Sequence, residues 1–290
     1  MTEKISLIIP ALNEAGSLAV LLPEIRKNYP EFEVIVVDDG STDDTAAIAG
    51  QNGATVISHP YTKGNGAAVK SGANAATGNI YIFMDADGQH SPESISALLD
   101  KYKQGYDMVV GARKMDSHAG KPRFLANWLY NKLASWVTGH KIPDLTSGFR
   151  LIKAKHFLEF IYLLPNGFSY PTTITMAMFR SGYSVGYVPV KMPGRSGDSH
   201  IKPVRDGIRF LLIIFKVATL YAPLKLFFPI SALFFLTGLF YYIYTFIISG
   251  RFTNMGLLML MVSVLIFLIG LISEQLTVLL FVNSKKKNQE

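Results

Sequence analysis

The chain has 290 residues, of which 49% are hydrophobic and only 17% charged, with a formal net charge of +7 and no cysteine. The missing cysteine excludes disulfides, thiolate zinc sites and cysteine nucleophiles. A mean hydropathy of +0.26 on a basic chain excludes a disordered or purely soluble protein, because the apolar residues are concentrated in two places.

From the N-terminus, strand and helix signals alternate. Ile5 to Ile9 reads as a buried strand, and the apolar stretch ending at Pro10 is too short for a signal peptide. Leu18, Leu21, Leu22 and Ile25 then recur at helical spacing. Val34 to Val37 is a second strand, and Asp43 is placed to cap the alanine-rich helix after it. A third strand is expected at Ala54 to Ile57, a helix through Ala67, Val69 and Ala73, and a fourth strand at Ile80 to Met84. Ser91-Pro92 starts another helix, and Tyr106 to Val110 adds a strand. Such an order implies an α/β domain with a doubly wound, mainly parallel sheet, whose ligand crevice lies at the carboxyl ends of its strands. Trp128 and Trp136, with Leu129 and Leu133 on one helix, are expected to pack rather than to form a sugar platform. The six histidines show no spacing that would make a metal site.

Past this domain, Pro203 to Tyr221 reads as an amphipathic helix, with Arg205, Arg209 and Lys216 on one side and Ile208, Leu211, Leu212 and Phe215 on the other. It is expected to lie flat at the membrane surface. No charge occurs among the 23 residues from Leu226 to Ile248, and Glu274 carries the single charge among the 27 from Gly256 to Val282. Each run exceeds the ~20 residues that cross a bilayer as a helix. Lysine and arginine flank the outer ends of the pair, including Lys285, Lys286 and Lys287, whereas the linker between them has only Arg251. The positive-inside rule then places both chain ends in the cytoplasm. The expected organisation is a cytoplasmic head over 1–202, an interfacial helix over 203–223 and a transmembrane hairpin with a basic tail over 224–290. Glu274 is expected to make a structural contact within a homo-oligomer.

The chemistry is carried by the loops beyond the strand ends. Pro10-Ala11-Leu12-Asn13-Glu14 lies after the first strand, Asp38-Asp39-Gly40-Ser41-Thr42-Asp43 after the second, and Asp85-Ala86-Asp87-Gly88-Gln89-His90 after the fourth. A carboxylate beyond a strand suits a ribose hydroxyl. Asp85, Asp87 and Gln89 offer hard oxygen ligands suited to Mg²⁺ or Mn²⁺ shared with a diphosphate. Gly64-Asn65-Gly66 lacks the remainder of a dinucleotide fingerprint and reads as a turn feeding a helix, with Lys63 placed to approach a nucleotide.

Together with Lys63-Gly64-Asn65-Gly66, Val110-Gly111-Ala112-Arg113 and Asp144-Leu145-Thr146-Ser147-Gly148-Phe149-Arg150, these motifs resemble those of family 2 glycosyltransferases. The closest resemblance is to dolichyl-phosphate mannose synthases and bacterial polyprenyl-phosphate glucosyltransferases, and it runs from about Ile5 to Pro203. It implies a GT-A-type head and a metal-dependent transferase acting on a nucleotide-sugar donor and a polyprenyl phosphate acceptor. Pro10, Leu12, Glu14, Val37 and Asp39 would hold the nucleoside, with Lys63 and Ala86 close to the donor. Asp85, Asp87 and Gln89 would form the metal and diphosphate turn, and Arg113 would face the phosphates. Arg195, Ser199 and His200 match a loop closing over the phosphates, where histidine stands in place of the family's lysine and Lys202 is placed to supply the missing cation, with Arg205 adding to the positive field. Asp144, Ser147 and Arg150 belong to the acceptor loop, Asp144 being read as shaping that loop rather than as a base.

The implied reaction is inverting transfer of one sugar, from GDP-mannose or UDP-glucose, to a polyprenyl phosphate at the cytoplasmic leaflet. Two alternatives stand beside it: a processive membrane polysaccharide synthase and a non-catalytic lipid-phosphate or assembly module. The +7 charge, concentrated near the membrane, is read as serving lipid and donor phosphates and not nucleic acid.

Overall fold

The computed structural model describes residues 3–88, 90–113, 121–167, 169–190, 215, 218–219, 221–251 and 253–287, without the side chains of 121–127 and 280–287. It divides into two compact units, 1–135 with 140–200 and 136–139 with 201–290.

The first unit is built on seven strands: β1 (Ile5–Ala11), β2 (Glu33–Asp38), β3 (Thr55–Ser58), β4 (Ile80–Phe83), β5 (Met108–Arg113), β6 (Arg150–Lys153) and β7 (Val185–Val190). Seven helices accompany them: α1 (Ala15–Asn28), α2 (Thr45–Gln51), α3 (Asn65–Ala75), α4 (Ser94–Tyr102), α5 (Lys121–Thr138), α6 (Ala154–Phe160) and α7 (Tyr170–Arg180). Strand order is β3-β2-β1-β4-β6-β5-β7. β1 pairs parallel with β2 and β4, β2 with β3, and β5 with β7. Valine, isoleucine and leucine dominate β1 and β2, both nearly continuously buried, as strands covered on both faces require. The predicted face of α1 (Leu18, Leu21, Leu22, Ile25) is buried in the same core.

One strand departs from the parallel pattern. β6 runs antiparallel to both β4 and β5, with Phe83 and Val110 opposite Arg150. Because it runs the other way, its first residue lies at the edge where β4 and β5 end. The segment 144–149 therefore enters the crevice from the opposite chain direction. β7 closes one side of the sheet, and an outer strand tolerates its Pro189. At the start of α2 the Asp43 carboxylate accepts the Thr45 N–H at 3.1 Å, although the residue directly before the helix is Asp44. α4 begins at Ser94, after a turn in which the Ser91 carbonyl accepts the Ser94 N–H at 2.9 Å.

The packing expected of the tryptophans is not found. Trp128 is 43% exposed and Trp136 49%, whereas Tyr130, Ala134 and Val137 fill the buried side of α5. Periodicity identified an apolar face without revealing whether protein covers it.

In the second unit, α8 (Pro223–Ser249) and α9 (Asn254–Lys287) are both long and apolar enough to cross a membrane. Large apolar side chains point outward along α8, Ile247 being 76% exposed, unlike those of a buried core helix. The contact between the two helices is made by small residues at heptad spacing: Ser231, Gly238 and Thr245 on α8, and Gly256, Ser263, Gly270 and Thr277 on α9, all buried. Small residues allow close backbone approach, and the seven-residue period is that of a left-handed helix pair. The Ser231 hydroxyl donates to the Ser263 carbonyl at 2.8 Å. Glu274 has an intrachain partner where the sequence suggests an intersubunit one: its carboxylate accepts the Leu224 N–H, 3.3 Å away, at the first turn of α8. That N–H is among those a helix leaves unsatisfied, and the negative charge sits at the positive end of the helix dipole. The interfacial helix expected over 203–223 falls almost wholly outside the described residues.

Candidate active site

The crevice is assembled from the ends of β1, β2, β4 and β5 and from the segment preceding β6. The first two loops are tied to each other. Asn13 takes a left-handed φ of 57°, which asparagine tolerates better than most residues, and its Oδ1 accepts the Thr42 N–H at 2.8 Å. The Asn13 N–H donates to the Ser41 hydroxyl (2.9 Å) and the Glu14 N–H to the Thr45 hydroxyl (2.9 Å). Pro10 pairs with Val37 in the β1–β2 register, and Leu12 stands exposed beyond it.

Asp39 is buried and its carboxylate is engaged by its own chain. It accepts the N–H groups of Lys63 (2.9 Å) and Gly64 (2.8 Å) and lies 2.6 Å from His59 Nδ1, while His59 Nε2 meets the Ser71 hydroxyl at 2.8 Å. Asp39 thus anchors the 63–64 turn to the end of β2. Gly64 has a φ of 105°, and a β-carbon there would meet the Asn166 carbonyl at 2.5 Å, so only glycine fits this turn into α3. The turn-and-helix reading of Gly64 and Gly66 agrees with this arrangement. The Lys63 ammonium lies 5.8 Å from the centre of the Tyr61 ring.

Beyond β4, Asp85 is packed so closely against Gly148 that a β-carbon on Gly148 would lie 2.9 Å from its Oδ2. Burial, followed by the charge of Asp87, pushes the Asp85 carboxyl up to about 6, against the opposing pull of Arg113, Arg150 and a hydrogen bond from the Asn65 side chain. Ala86 is buried between the two acids. The His90 ring, also buried, stacks on Phe149 with centroids 4.5 Å apart, and burial holds its pKa down at about 4, so it is neutral at pH 7. Gln89 lies outside the described residues, as do Arg195, Ser199, His200, Lys202 and Arg205.

At the end of β5, Arg113 is held by a two-pronged ion pair. Its Nε donates to Asp144 Oδ2 at 2.7 Å and one terminal nitrogen to Asp144 Oδ1 at 2.9 Å, with a further bond to the Thr146 hydroxyl. Hydrogen bonding to Asp144 raises the Arg113 pKa. Burial raises that of Asp144, but Arg113's bonds and charge outweigh it, leaving the carboxyl below its usual range. Paired in this way, Asp144 is an ionised clamp for Arg113. Ser147 donates to the Gly111 carbonyl at 2.7 Å and fastens the segment to β5. Arg150 is 0% exposed, so it does not face the crevice as a free phosphate contact. Its guanidinium donates to the Pro171 carbonyl (3.0 Å), the Thr175 hydroxyl (3.2 Å) and the Ser147 carbonyl, holding the loop from beneath.

The structure therefore brings Asp85, Asp87, Arg113, Asp144 and Ser147 to one end of the sheet. It adds Asn65, Gly148, His59 and Thr146, which the sequence did not single out as site residues. Asn65 could have been found in the 63–66 motif, whereas the approach of Gly148 to Asp85 leaves no local sequence signal.

The described residues contain no cluster of three or more histidine, aspartate or glutamate side chains able to cage a metal. A buried carboxylate, Asp85, whose hold on its proton is strengthened by the neighbouring charge of Asp87, nevertheless fits a hard divalent cation, whose remaining ligands a diphosphate can supply.

Comparison with known proteins agrees with this geometry. The description "glycosyl transferase family 2" matches residues 6–160, and "GtrB C-terminal hairpin" matches residues 222–279. A polyprenol monophosphomannose synthase of Mycolicibacterium smegmatis is 29% identical over 75% of this chain and 86% of its own. An undecaprenyl-phosphate 4-deoxy-4-formamido-L-arabinose transferase of Serratia proteamaculans is 33% identical over 59% of this chain and 58% of its own. Among solved structures, glucosyl-3-phosphoglycerate synthase of Mycobacterium tuberculosis, in complex with Mn²⁺, UDP and glucosyl-3-phosphoglycerate, superposes with a TM-score of 0.59 at 23% identity. That superposition covers 73% of this chain and 80% of the other, and it is a likeness of fold. With more than half its length matched by the family description, and with a GT-A-type head followed by two apolar helices, the chain belongs to glycosyl transferase family 2.

Proposed function

We propose that the protein transfers a single sugar, with inversion, from a nucleotide-sugar to a polyprenyl phosphate at the cytoplasmic leaflet, using Mg²⁺ or Mn²⁺. The observation that carries this reading is the meeting of Asp85, Asp87 and the Asp144-clamped Arg113 at one sheet edge. The matched C-terminal hairpin and the lipid-phosphate substrates in the relatives' names support it.

The nucleoside would rest against Pro10, Leu12 and Glu14; Val37, which the sequence suggested as a further contact, is 0% exposed and backs them from the core. Asp39 would support that site indirectly, by holding the 63–64 turn through the Lys63 and Gly64 N–H groups. Asp85 and Asp87, with Gln89, would hold the cation, which when bound supplies positive charge to the departing diphosphate. Arg113, kept in one orientation by its two-pronged pair, is already aimed when negative charge develops, so little reorganisation accompanies the reaction. The acceptor phosphate oxygen is anionic at neutral pH and attacks the anomeric carbon directly, so no strong base is required. This agrees with an Asp144 committed to Arg113. The basic residues from Arg195 to Arg205 would reduce repulsion between the two anionic substrates. GDP-mannose and UDP-glucose are the leading donors.

Incubating purified protein with labelled nucleotide-sugars, Mg²⁺ or Mn²⁺ and a polyprenyl phosphate tests the proposal. A labelled product extractable into organic solvent is expected, and it should be absent with Asp87→Ala. A long polymer would favour a processive synthase, and no turnover with any donor a non-catalytic module.

A further inference from the structure

His90 occupies a place that would suit a hydrocarbon ring. It is 2% exposed, and its imidazole stacks on Phe149 with the planes inclined by only 23°. Phe149 is buried in turn and wedged against β5. A β-carbon on Gly111 would lie 2.5 Å from its ring, and its carbonyl accepts the Gly111 N–H at 2.9 Å. Asp85, where the same turn begins, packs on Gly148. Both ends of the 85–90 turn therefore rest on consecutive residues of the segment before β6.

Stacking accounts for the ring but not for its nitrogens. Nδ1 is buried and has no hydrogen-bond partner among the described residues, a costly arrangement that phenylalanine or leucine would avoid. The charges of Asp87, Arg113 and Asp144 all act on this ring, so it borders the chemical end of the crevice. A neutral imidazole has one N–H to give, and here no protein group receives it at Nδ1. Asp85, Asp87 and Arg113 all address the donor diphosphate in the proposed reaction, which makes the diphosphate the occupant that reaches this ring.

We propose that His90 is a donor-binding residue: its ring fastens the 85–90 turn to the 144–149 segment, and its Nδ1–H donates to an oxygen of the bound nucleoside diphosphate. The inference rests on the donor reading above and deepens it.

Two substitutions separate the parts of the ring. Full-length His90→Phe keeps the stacking plate and removes both nitrogens, whereas His90→Asn keeps an amide N–H close to the place of Nδ1 and loses the plate. Binding of GDP and of UDP, each with Mn²⁺, would be titrated calorimetrically in detergent, with thermal unfolding of the ligand-free proteins alongside. His90→Phe should stay folded and bind the preferred nucleotide on the order of 10- to 100-fold more weakly than wild type, the worth of one hydrogen bond to a charged group. His90→Asn should melt lower than wild type yet bind more tightly than His90→Phe. A phenylalanine variant that binds as tightly as wild type would reduce His90 to a packing residue and overturn the proposal. Normal binding of the nucleotide with weakened binding of the nucleotide-sugar would move the contact to the sugar and overturn it too. Should the phenylalanine variant not fold, the asparagine one decides: binding close to wild type supports the contact, and lost binding in folded protein overturns it. Wild-type protein that binds neither nucleotide would overturn the donor reading together with this inference.

Discussion

Replacing Asp85 with asparagine should separate stability from activity. In the metal-free protein the carboxyl is raised from 3.8 to about 6, chiefly by burial and then by Asp87. A shift of about two units corresponds to about 3 kcal/mol, and partial exposure and coupling to Asp87 reduce the usable figure to about 1–3 kcal/mol. The folded state binds this proton more tightly than the unfolded chain, so the stabilising contribution is complete below the unfolded value and is lost as pH rises through about 6. At pH 7.5 the head holds an unfavourable ionised group, which asparagine removes while keeping the shape. Thermal unfolding of detergent-solubilised, metal-free protein should show Asp85→Asn melting higher than wild type at pH 7.5, by roughly 2–4 °C per kcal/mol for a head of this size. At pH 4.5 the gap should shrink, and Mn²⁺ should raise the wild type but not the variant. A variant melting at or below wild type at pH 7.5, or a difference independent of pH, would refute the reasoning.

Three further outcomes are expected from the geometry. Arg113→Lys should lose the two-pronged contact and lower kcat/KM by on the order of 10²-fold, and Asp144→Asn should act through the same pair, so that the double variant is little worse than either single one in steady-state kinetics. Gly148→Ala would place a β-carbon 2.9 Å from Asp85 Oδ2, and titration with Mn²⁺ should show weakened cation binding in protein that still folds. Glu274→Gln should keep a weaker cap on α8, whereas Glu274→Leu leaves the Leu224 N–H without this acceptor; unfolding in detergent should show the leucine variant less stable than the glutamine one.

The sequence made the parts of this protein that repeat a local period legible. β1, β2 and β4 are apolar runs, α1 carries a clean helical stripe, and the two C-terminal helices stand out as long apolar runs. The rule that ligands gather beyond strand ends points to Asp85 and Asp87, and the family resemblance adds Arg113. β6 escaped because Arg-Leu-Ile-Lys is a short strand with a charge at each end, and its burial of Arg150 depends on acceptors at 147, 171 and 175. The Arg113–Asp144 clamp joins residues 31 apart, a distance no local pattern spans. The tryptophans of α5 show the opposite limit: helical spacing locates an apolar face, but whether protein covers it depends on the rest of the fold.

The central claim is direct attack of a lipid phosphate on the anomeric carbon of one donor sugar, and the covalent structure of the product tests it most directly. Mass spectrometry and NMR of the extracted lipid should find a single sugar on a polyprenyl phosphate, with anomeric configuration opposite to that of the donor. Retained configuration, or a chain of sugars on the lipid, would contradict the account.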